Sequence, residues 1–249
     1  SLHDALPILF AFTYRHRPYG RFEIFNKFRW PERTFLRELI GIGVPIGVSA
    51  SMEVTMFAVV SLMVSTIGTV EVAGHQIAIN FAAMMFMIPF GLSVAITARV
   101  GNSIGRNNVT QARFRGFTGV MICAGIMVIT ATVIFLFPNA ISSIYTDDQQ
   151  VKDVAVQLLF MAAVFQLSDG LQVSGAGALR GLKDTKVPMV VNFFAYWVVG
   201  IPVSLYLGFR AEMGAPGLWI GLIAGLTVAG ILHNGRFYRQ TSGSRKSAS

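Results

Sequence analysis

Long apolar stretches separated by short polar segments dominate this chain. A helix needs about 20 mostly apolar residues to cross the hydrocarbon core of a bilayer, and six stretches are of that order. Alternation with a period of two does not recur in ten-residue blocks, which argues against a membrane β-barrel. We therefore predict six transmembrane helices. The apolar stretches run over 39–67, 75–98, 116–137, 154–177, 187–209 and 216–232.

Composition points the same way. Of the 249 residues, 53% are hydrophobic and only 13% are charged, whereas a soluble domain carries about 25% charged residues. This excludes a disordered chain, a nucleic-acid-binding domain and an ordinary cytosolic enzyme. The single cysteine, Cys123, lies inside an apolar stretch, which excludes a disulfide framework and a cysteine-based metal site. The predicted fold class is an all-α integral membrane protein.

Basic residues occupy alternate polar segments. All of the 20 lysines and arginines except Lys152 and Arg210 lie before the first stretch, after the second, after the fourth or in the tail. Short loops rich in Lys and Arg stay on the cytoplasmic side of a membrane. Both ends of the six-helix segment are therefore predicted to be cytoplasmic. The net charge of +8 then reflects membrane topology, and no nucleic-acid partner is expected.

The same pattern divides the chain into three predicted regions. Residues 1–38 form an N-terminal remnant and cytoplasmic linker, residues 39–235 a six-helix transmembrane lobe, and residues 236–249 a basic cytoplasmic tail. The chain does not begin with Met, and the apolar residues 8–14 are too few to span a bilayer. We expect the chain to be the C-terminal part of a longer protein.

Two acidic residues lie deep inside predicted spans. Glu53 is near the middle of the first span, and Asp169 is well inside the fourth. A carboxylate at the bilayer centre costs about 2.5–3.5 kcal/mol on insertion scales, and ionisable residues there usually mark a functional site. An apolar environment disfavours the charged form of a carboxyl group and a bound cation favours it, so such a group can exchange a proton for a cation. The alternative is that both acids are protonated packing residues.

The neighbours of the two acids include hydroxyl, amide, thioether and aromatic groups. Carboxylate, hydroxyl and amide oxygens suit Na⁺, whereas aromatic and thioether side chains suit an apolar cation. We therefore predict that Glu53 and Asp169 form a cation-coupling site, with Na⁺ as the candidate metal ion. Candidate neighbours in the first and fourth spans are Ser49, Met56, Phe57, Phe165, Gln166 and Gln172. Candidate cavity residues in the second and fifth spans are Gln76, Asn80, Asn192 and Tyr196.

Other features of the spans are less specific. Gly217, Gly221 and Gly225 repeat at intervals of four, which predicts close packing against a second helix. His75, at the outer end of the second span, is expected to be an interfacial hydrogen-bonding group. No Ser-His-Asp set or HExxH motif occurs in the spans, so we predict neither an enzyme nor a bound cofactor.

Taken together, several strings resemble the second half of a multidrug and toxic compound extrusion (MATE) transporter, specifically its bacterial NorM-like branch. They include Gly-Val-Pro-Ile-Gly in the first span and Gln-Leu-Ser-Asp in the fourth. The strings that carry the resemblance occupy residues 43–47, 53–58, 72–80, 99–105, 166–169, 177–185 and 195–202.

The resemblance implies a fold of twelve helices in two six-helix lobes, of which this chain would be the C-lobe and the N-terminal six-helix lobe would be its missing partner. It implies a multi-pass antiporter of the bacterial inner membrane that expels organic cations, including drugs and dyes, in exchange for Na⁺ or H⁺. In the NorM-like branch a first-span glutamate and a fourth-span aspartate form a cation site, and these match Glu53 and Asp169. Where that branch often has a tyrosine, this chain has Phe165.

Three alternatives to the antiporter remain. A lipid-linked oligosaccharide flippase of the same superfamily should have a basic lumen for a phosphate, whereas the predicted spans contain no Arg or Lys. A passive ion channel needs a continuous polar path, and these spans offer two acids and scattered amides. A membrane-anchored scaffold would not depend on either acid.

Overall fold

Seven helices account for nearly all of the chain between residues 32 and 242, which are the residues that our computed structural model describes. Six are long and apolar enough to cross a membrane, and this part of the chain contains no strand. The prediction of an all-α protein with six membrane spans is confirmed. The helices are α1 (Arg33–Ser65), α2 (Thr69–Gly105), α3 (Val109–Leu136), α4 (Pro138–Tyr145), α5 (Gln149–Gly181), α6 (Lys186–Arg210) and α7 (Gly214–Ser242).

The helices extend beyond the apolar stretches that predicted them. The stretch 154–177 lies inside α5, which begins where the carboxylate of Asp148 accepts the backbone N–H groups of Gln150 and Val151. Such N-caps stabilise helix ends in polar surroundings, where a hydropathy pattern gives no signal. α7 likewise continues to Ser242, past the predicted start of the tail. The predictions for residues 1–31 and 243–249 lie outside the described residues.

The short helix α4 was not predicted. It follows α3 directly, with Pro138 at its first position, where the missing N–H of proline costs no hydrogen bond. Ile141 and Ser142 are buried on one side, whereas Ile144 is exposed. Eight residues are too few for a pattern of apolar positions to stand out from the neighbouring spans.

α5 is the central helix of the unit formed by residues from Ile42 onward. It packs most extensively against α2, α7 and α3. Small residues permit this close approach: a Cβ atom on Gly177 would lie 2.7 Å from the backbone carbonyl oxygen of Ser93 in α2. Residues 32–41 belong to a separate N-terminal unit and are described only as the first turns of α1.

The predicted glycine face of α7 packs against α6. A Cβ atom on Gly217 would lie 2.6 Å from the carbonyl of Leu207, and one on Gly225 would lie 3.0 Å from the carbonyl oxygen of Ala195. The packing role of these glycines is therefore confirmed. α6 itself is irregular, because residues Phe194–Gly200 and Tyr206–Arg210 are π-helical.

Candidate functional site

A cavity of about 510 Å³ lies among α1, α2, α5 and α6. This volume suits a drug-sized molecule. Its wall is mainly apolar and includes four phenylalanine rings: Phe57, Phe86, Phe90 and Phe165. Its polar lining combines carboxylate, hydroxyl, amide and guanidinium groups from Ser49, Glu53, Asp169, Gln172, Arg180, Thr185 and Asn192.

Helical periodicity determines which side chains reach the cavity. On α5, the residues three, four, seven and eleven positions after Asp169 also line it, as expected for one helix face. Lining residues with the same spacing begin at Ile46 on α1 and at Ile79 on α2. Asp169 is only 3% exposed, whereas Glu53 on α1 is half-buried. The two predicted acids thus face one cavity from two helices.

Tyr196 connects the helices that carry the acids. Its hydroxyl donates a hydrogen bond to Oε2 of Glu53 at 3.4 Å and accepts one from Nε2 of Gln172 at 2.9 Å. The side chain is fully buried and lies in the first π-helical segment of α6. π-helical turns occur frequently at functional sites. A polar chain therefore runs from α1 through α6 to α5.

Several buried oxygen atoms near the acids have no hydrogen-bond partner within the described chain. They are Oδ1 of Asp169, Oε1 of Gln172 and Oδ1 of Asn192. Buried polar atoms usually have a partner, so unpartnered ones call for an explanation. Oxygen donors of this kind are the ligands that a hard cation prefers. This donor set is compatible with cation binding beside the carboxylates.

No group of three or more His, Cys, Asp or Glu side chains in residues 32–242 is placed to hold a metal ion. A Na⁺ site based on Glu53 and Asp169 therefore needs neutral oxygen ligands. Gln172 and Asn192 are the amides that line the cavity.

Most of the predicted neighbours reach the cavity. Ser49, Phe57, Phe165, Gln172 and Asn192 line it with the two acids, and Tyr196 contacts Glu53 and Gln172.

Four predicted neighbours are not among its described lining residues. Met56 is fully buried in the hydrophobic core, and Gln166 donates from Nε2 to the carbonyl oxygen of Ala82 at 3.2 Å. Gln76 and Asn80 are exposed, and Oδ1 of Asn80 accepts a hydrogen bond from the Tyr145 hydroxyl.

Arg180 was missed. The sequence placed it in the loop after the fourth span, but α5 continues to Gly181 and Arg180 lines the cavity from its last turn. The stretch 154–177 contains no Arg or Lys, but the inference that the lumen lacks a basic group is wrong, because Arg180 lines the cavity. Helical periodicity could have identified Arg180, because a residue eleven positions after Asp169 lies on the same face of the helix.

His75 belongs to the core and not to an interface. It is 2% exposed, and Nδ1 accepts a hydrogen bond from the Trp219 indole at 3.1 Å. Its Nε2 lies 3.0 Å from Oγ of Ser61. Since Nδ1 is the acceptor, Nε2 carries the proton and donates to Ser61. The hydrogen-bonding role was predicted correctly, but its location was wrong.

Comparison with known proteins agrees with this architecture. The chain is 44% identical to the "Probable multidrug resistance protein NorM" of Xanthomonas axonopodis pv. citri over 231 residues, covering 93% of this chain and 50% of that protein. It is 40% identical to the "Multidrug resistance protein PmpM" of Pseudomonas aeruginosa, covering 86% of this chain and 46% of that protein. The chain thus spans about half the length of the curated relatives it matches.

The fold has close neighbours among solved structures. It superposes on the crystal structure of the eukaryotic MATE transporter AtDTX14 with a TM-score of 0.84 at 20% identity, covering 98% of this chain and 56% of that one. Residues 45–206, which include both acids and Tyr196, match the MatE family. The protein is a multi-pass membrane protein that belongs to the MatE family.

Proposed function

We propose that this chain is one lobe, the C-lobe, of a secondary antiporter that exports organic cations in exchange for Na⁺ or H⁺. The observation that carries the proposal is the pairing of Glu53 and Asp169 in one drug-sized, aromatic-lined cavity. Relatives named multidrug resistance proteins support the substrate class. A transporter needs no covalent catalysis, so we propose neither an enzymatic activity nor a cofactor.

Competition between two cations at the same carboxylates provides the coupling. When the cavity is open to the outside, Na⁺ or H⁺ binds at Glu53 and Asp169 and neutralises them. A positively charged drug in the cavity then loses its electrostatic attraction and dissociates. After the cavity opens to the inside, the coupling ion leaves and a new drug cation binds. Linkage requires that each cation weaken the binding of the other by the same factor.

Four side chains supply the proposed ligands of the coupling ion. Glu53 and Asp169 provide the charge, and the unpartnered amide oxygens of Gln172 and Asn192 provide neutral ligands. The Tyr196 hydroxyl, already bonded to Glu53, substitutes for the family tyrosine that is replaced by Phe165. If H⁺ is the coupling ion, it protonates the same two carboxyl groups.

We further propose that both ends of the six-helix segment are cytoplasmic in the bacterial inner membrane. The α5–α6 turn and the end of α7 are joined by the ion pair of Asp184 with Arg236 at 2.5 Å. The adjacent α2–α3 turn is also basic, with Arg106 exposed. Basic turns on one side of the membrane follow the positive-inside rule. The proposed partner is a second six-helix lobe, which would complete the transport pathway.

The test is drug accumulation in efflux-deficient cells that express the protein from its own gene. Wild type should lower ethidium accumulation, and Asp169→Asn should abolish this effect. Asp153→Asn is the matched control, because Asp153 is an acid on the same helix that lies far from the cavity lining. Dependence of wild-type efflux on a Na⁺ gradient or on a pH gradient identifies the coupling ion.

The alternatives give different results in the same assay. Efflux retained by both Glu53→Gln and Asp169→Asn would overturn the antiporter mechanism. Ionic currents that follow voltage without saturating would indicate a channel. Arg180 weakens the sequence argument against a flippase, because it lines the cavity.

A further inference from the structure

The cavity contains a cationic group besides its two acids. Arg180 lies on the same face of α5 as Asp169 and eleven residues further along, which is roughly 16 Å along the helix axis at 1.5 Å per residue. Long side chains on a helix point back toward its N-terminus, so the guanidinium is closer to Asp169 than this separation. The lining therefore carries both acidic and basic groups.

Not every hydrogen-bond donor of the Arg180 guanidinium has a partner within the described chain. Its Nη2 donates to Oγ of Ser93 at 3.2 Å, but its buried Nε has no partner within the described chain. No carboxylate among residues 32–242 forms an ion pair with it at 4.0 Å or less. Its electrostatic interaction with Glu53 acts over a longer distance.

The carboxylate nearest in sequence is already engaged. Asp184 accepts hydrogen bonds through Oδ2 from Nε of Arg236 at 2.5 Å and from Nε2 of Gln240 at 2.8 Å. A guanidinium presents its donors as a planar fork that matches a carboxylate, and such charge-assisted pairs are the strong hydrogen bonds of proteins. Arg180 lines the cavity, and one of its five N–H donors bonds to another residue of the described chain, so its guanidinium can receive an external carboxylate.

Other groups at this end of the cavity are compatible with an anion. The buried Thr185 provides a hydroxyl, and Pro188 and Ala176 provide apolar contacts. Behind the lining, Nδ1 of the buried His233 of α7 lies 3.5 Å from the carbonyl oxygen of Gln172. The aromatic rings of the cavity suit a flat ring system.

We infer that Arg180 forms a carboxylate-binding subsite, so that the cavity takes zwitterionic aromatic drugs that carry both an amine cation and a carboxylate. This inference rests on the proposed function and deepens it. The amine binds toward Glu53 and Asp169, the rings lie against the phenylalanines, and the carboxylate pairs with Arg180. Drugs that carry only a cation use the acids and not Arg180.

A zwitterionic quinolone and its ester separate these two modes of binding. Norfloxacin carries a carboxylate that norfloxacin methyl ester lacks, and both carry the amine. Arg180→Gln should weaken efflux of the acid by about tenfold or more, the loss expected for hydrogen bonds to a charged group, and change efflux of the ester by less than about twofold. Arg180→Lys keeps the charge but loses the fork, so it should show the same selectivity with a smaller loss. Arg99→Gln is the matched control, because Arg99 is exposed on α2.

Binding to purified protein provides a second measurement that does not depend on transport. Quenching of norfloxacin fluorescence should show weaker binding of the acid, but not of the ester, to Arg180→Gln. Equal losses for acid and ester, or no loss for either, would overturn the subsite. If wild type exports neither compound nor ethidium, the proposed function fails as well. If wild type exports them but Arg180→Gln affects the acid and the ester equally, only the subsite is refuted.

Discussion

The two acids of the cavity lie on helices with very different packing. α5, which carries Asp169, packs against α2, α3 and α7, and a Cβ atom on its Gly177 would collide with α2. α1, which carries Glu53, makes no comparably extensive contact with another helix in the described chain. A Cβ atom on Gly47 of α1 would meet no atom of a neighbouring helix within 4 Å, and Val54 is 69% exposed.

This difference suggests separate roles for the two acids. Asp169 is fixed in a closely packed framework, so its position changes little. Glu53 lies on a helix that enters the core mainly through Met56, Val60 and Val64. A cation that binds both carboxylates links α1 to α5. We therefore expect α1 to be the element whose position responds to the coupling ion.

The strongest test of this difference lengthens one acidic side chain and shortens the other. Asp169→Glu displaces a carboxylate that a closely packed helix holds in position, and misplacing a functional group by about 1 Å can cost on the order of 100-fold in rate. Efflux should fall by about tenfold or more. Glu53→Asp shortens a half-buried acid on a loosely packed helix, so efflux should fall by less than about threefold. The measurement is the initial rate of ethidium efflux, and equal losses would show that both acids are held equally rigidly.

Glycine substitutions compare the two helices through stability. In Gly177→Val, the new side chain meets the Ser93 backbone, which should lower the free energy of unfolding by about 1–3 kcal/mol. Gly47→Ala meets no neighbour, so removal of a helical glycine should be neutral or stabilise by up to about 1 kcal/mol. Thermal unfolding in detergent measures both. Similar shifts in Tm would contradict the packing difference.

Tyr196→Phe tests the polar link between the two helices. It removes the hydroxyl that joins Glu53 to Gln172 and leaves the ring in place. Interhelical hydrogen bonds in membranes contribute about 0.6 kcal/mol on average, so losing two should weaken apparent affinity for the coupling ion by about fivefold to tenfold. Tyr206→Phe is the control, because Tyr206 is an exposed tyrosine on the same helix. Equal effects of both variants would mean that Tyr196 does not act on the site.

The sequence singled out the two acids because a charge inside an apolar stretch is conspicuous whatever the tertiary structure, and the structure brings both to one cavity. It predicted poorly which side chains of α2 reach the cavity, since Gln76 and Asn80 are not among the lining residues. A helix that is apolar all round gives no signal about which face packs inward. Arg180 was missed because it adjoins basic residues that belong to the following turn. The contacts of Tyr196 depend on three helices meeting, which no local pattern encodes.

The smallest expected effect concerns one of the few polar contacts that hold α1. Oγ of Ser61 accepts a hydrogen bond from His75 of α2, whereas Oγ of Ser65 bonds to the carbonyl oxygen of Leu62 in its own helix. Ser61→Ala should therefore lower the free energy of unfolding by about 0.6 kcal/mol, and Ser65→Ala should leave it unchanged. Hydrogen exchange should also increase in α1 for Ser61→Ala but not in α5, because α5 keeps all its packing. An increase spread equally over both helices would mean that α1 and α5 move as one body, and the assignment of α1 as the responsive element would then be wrong.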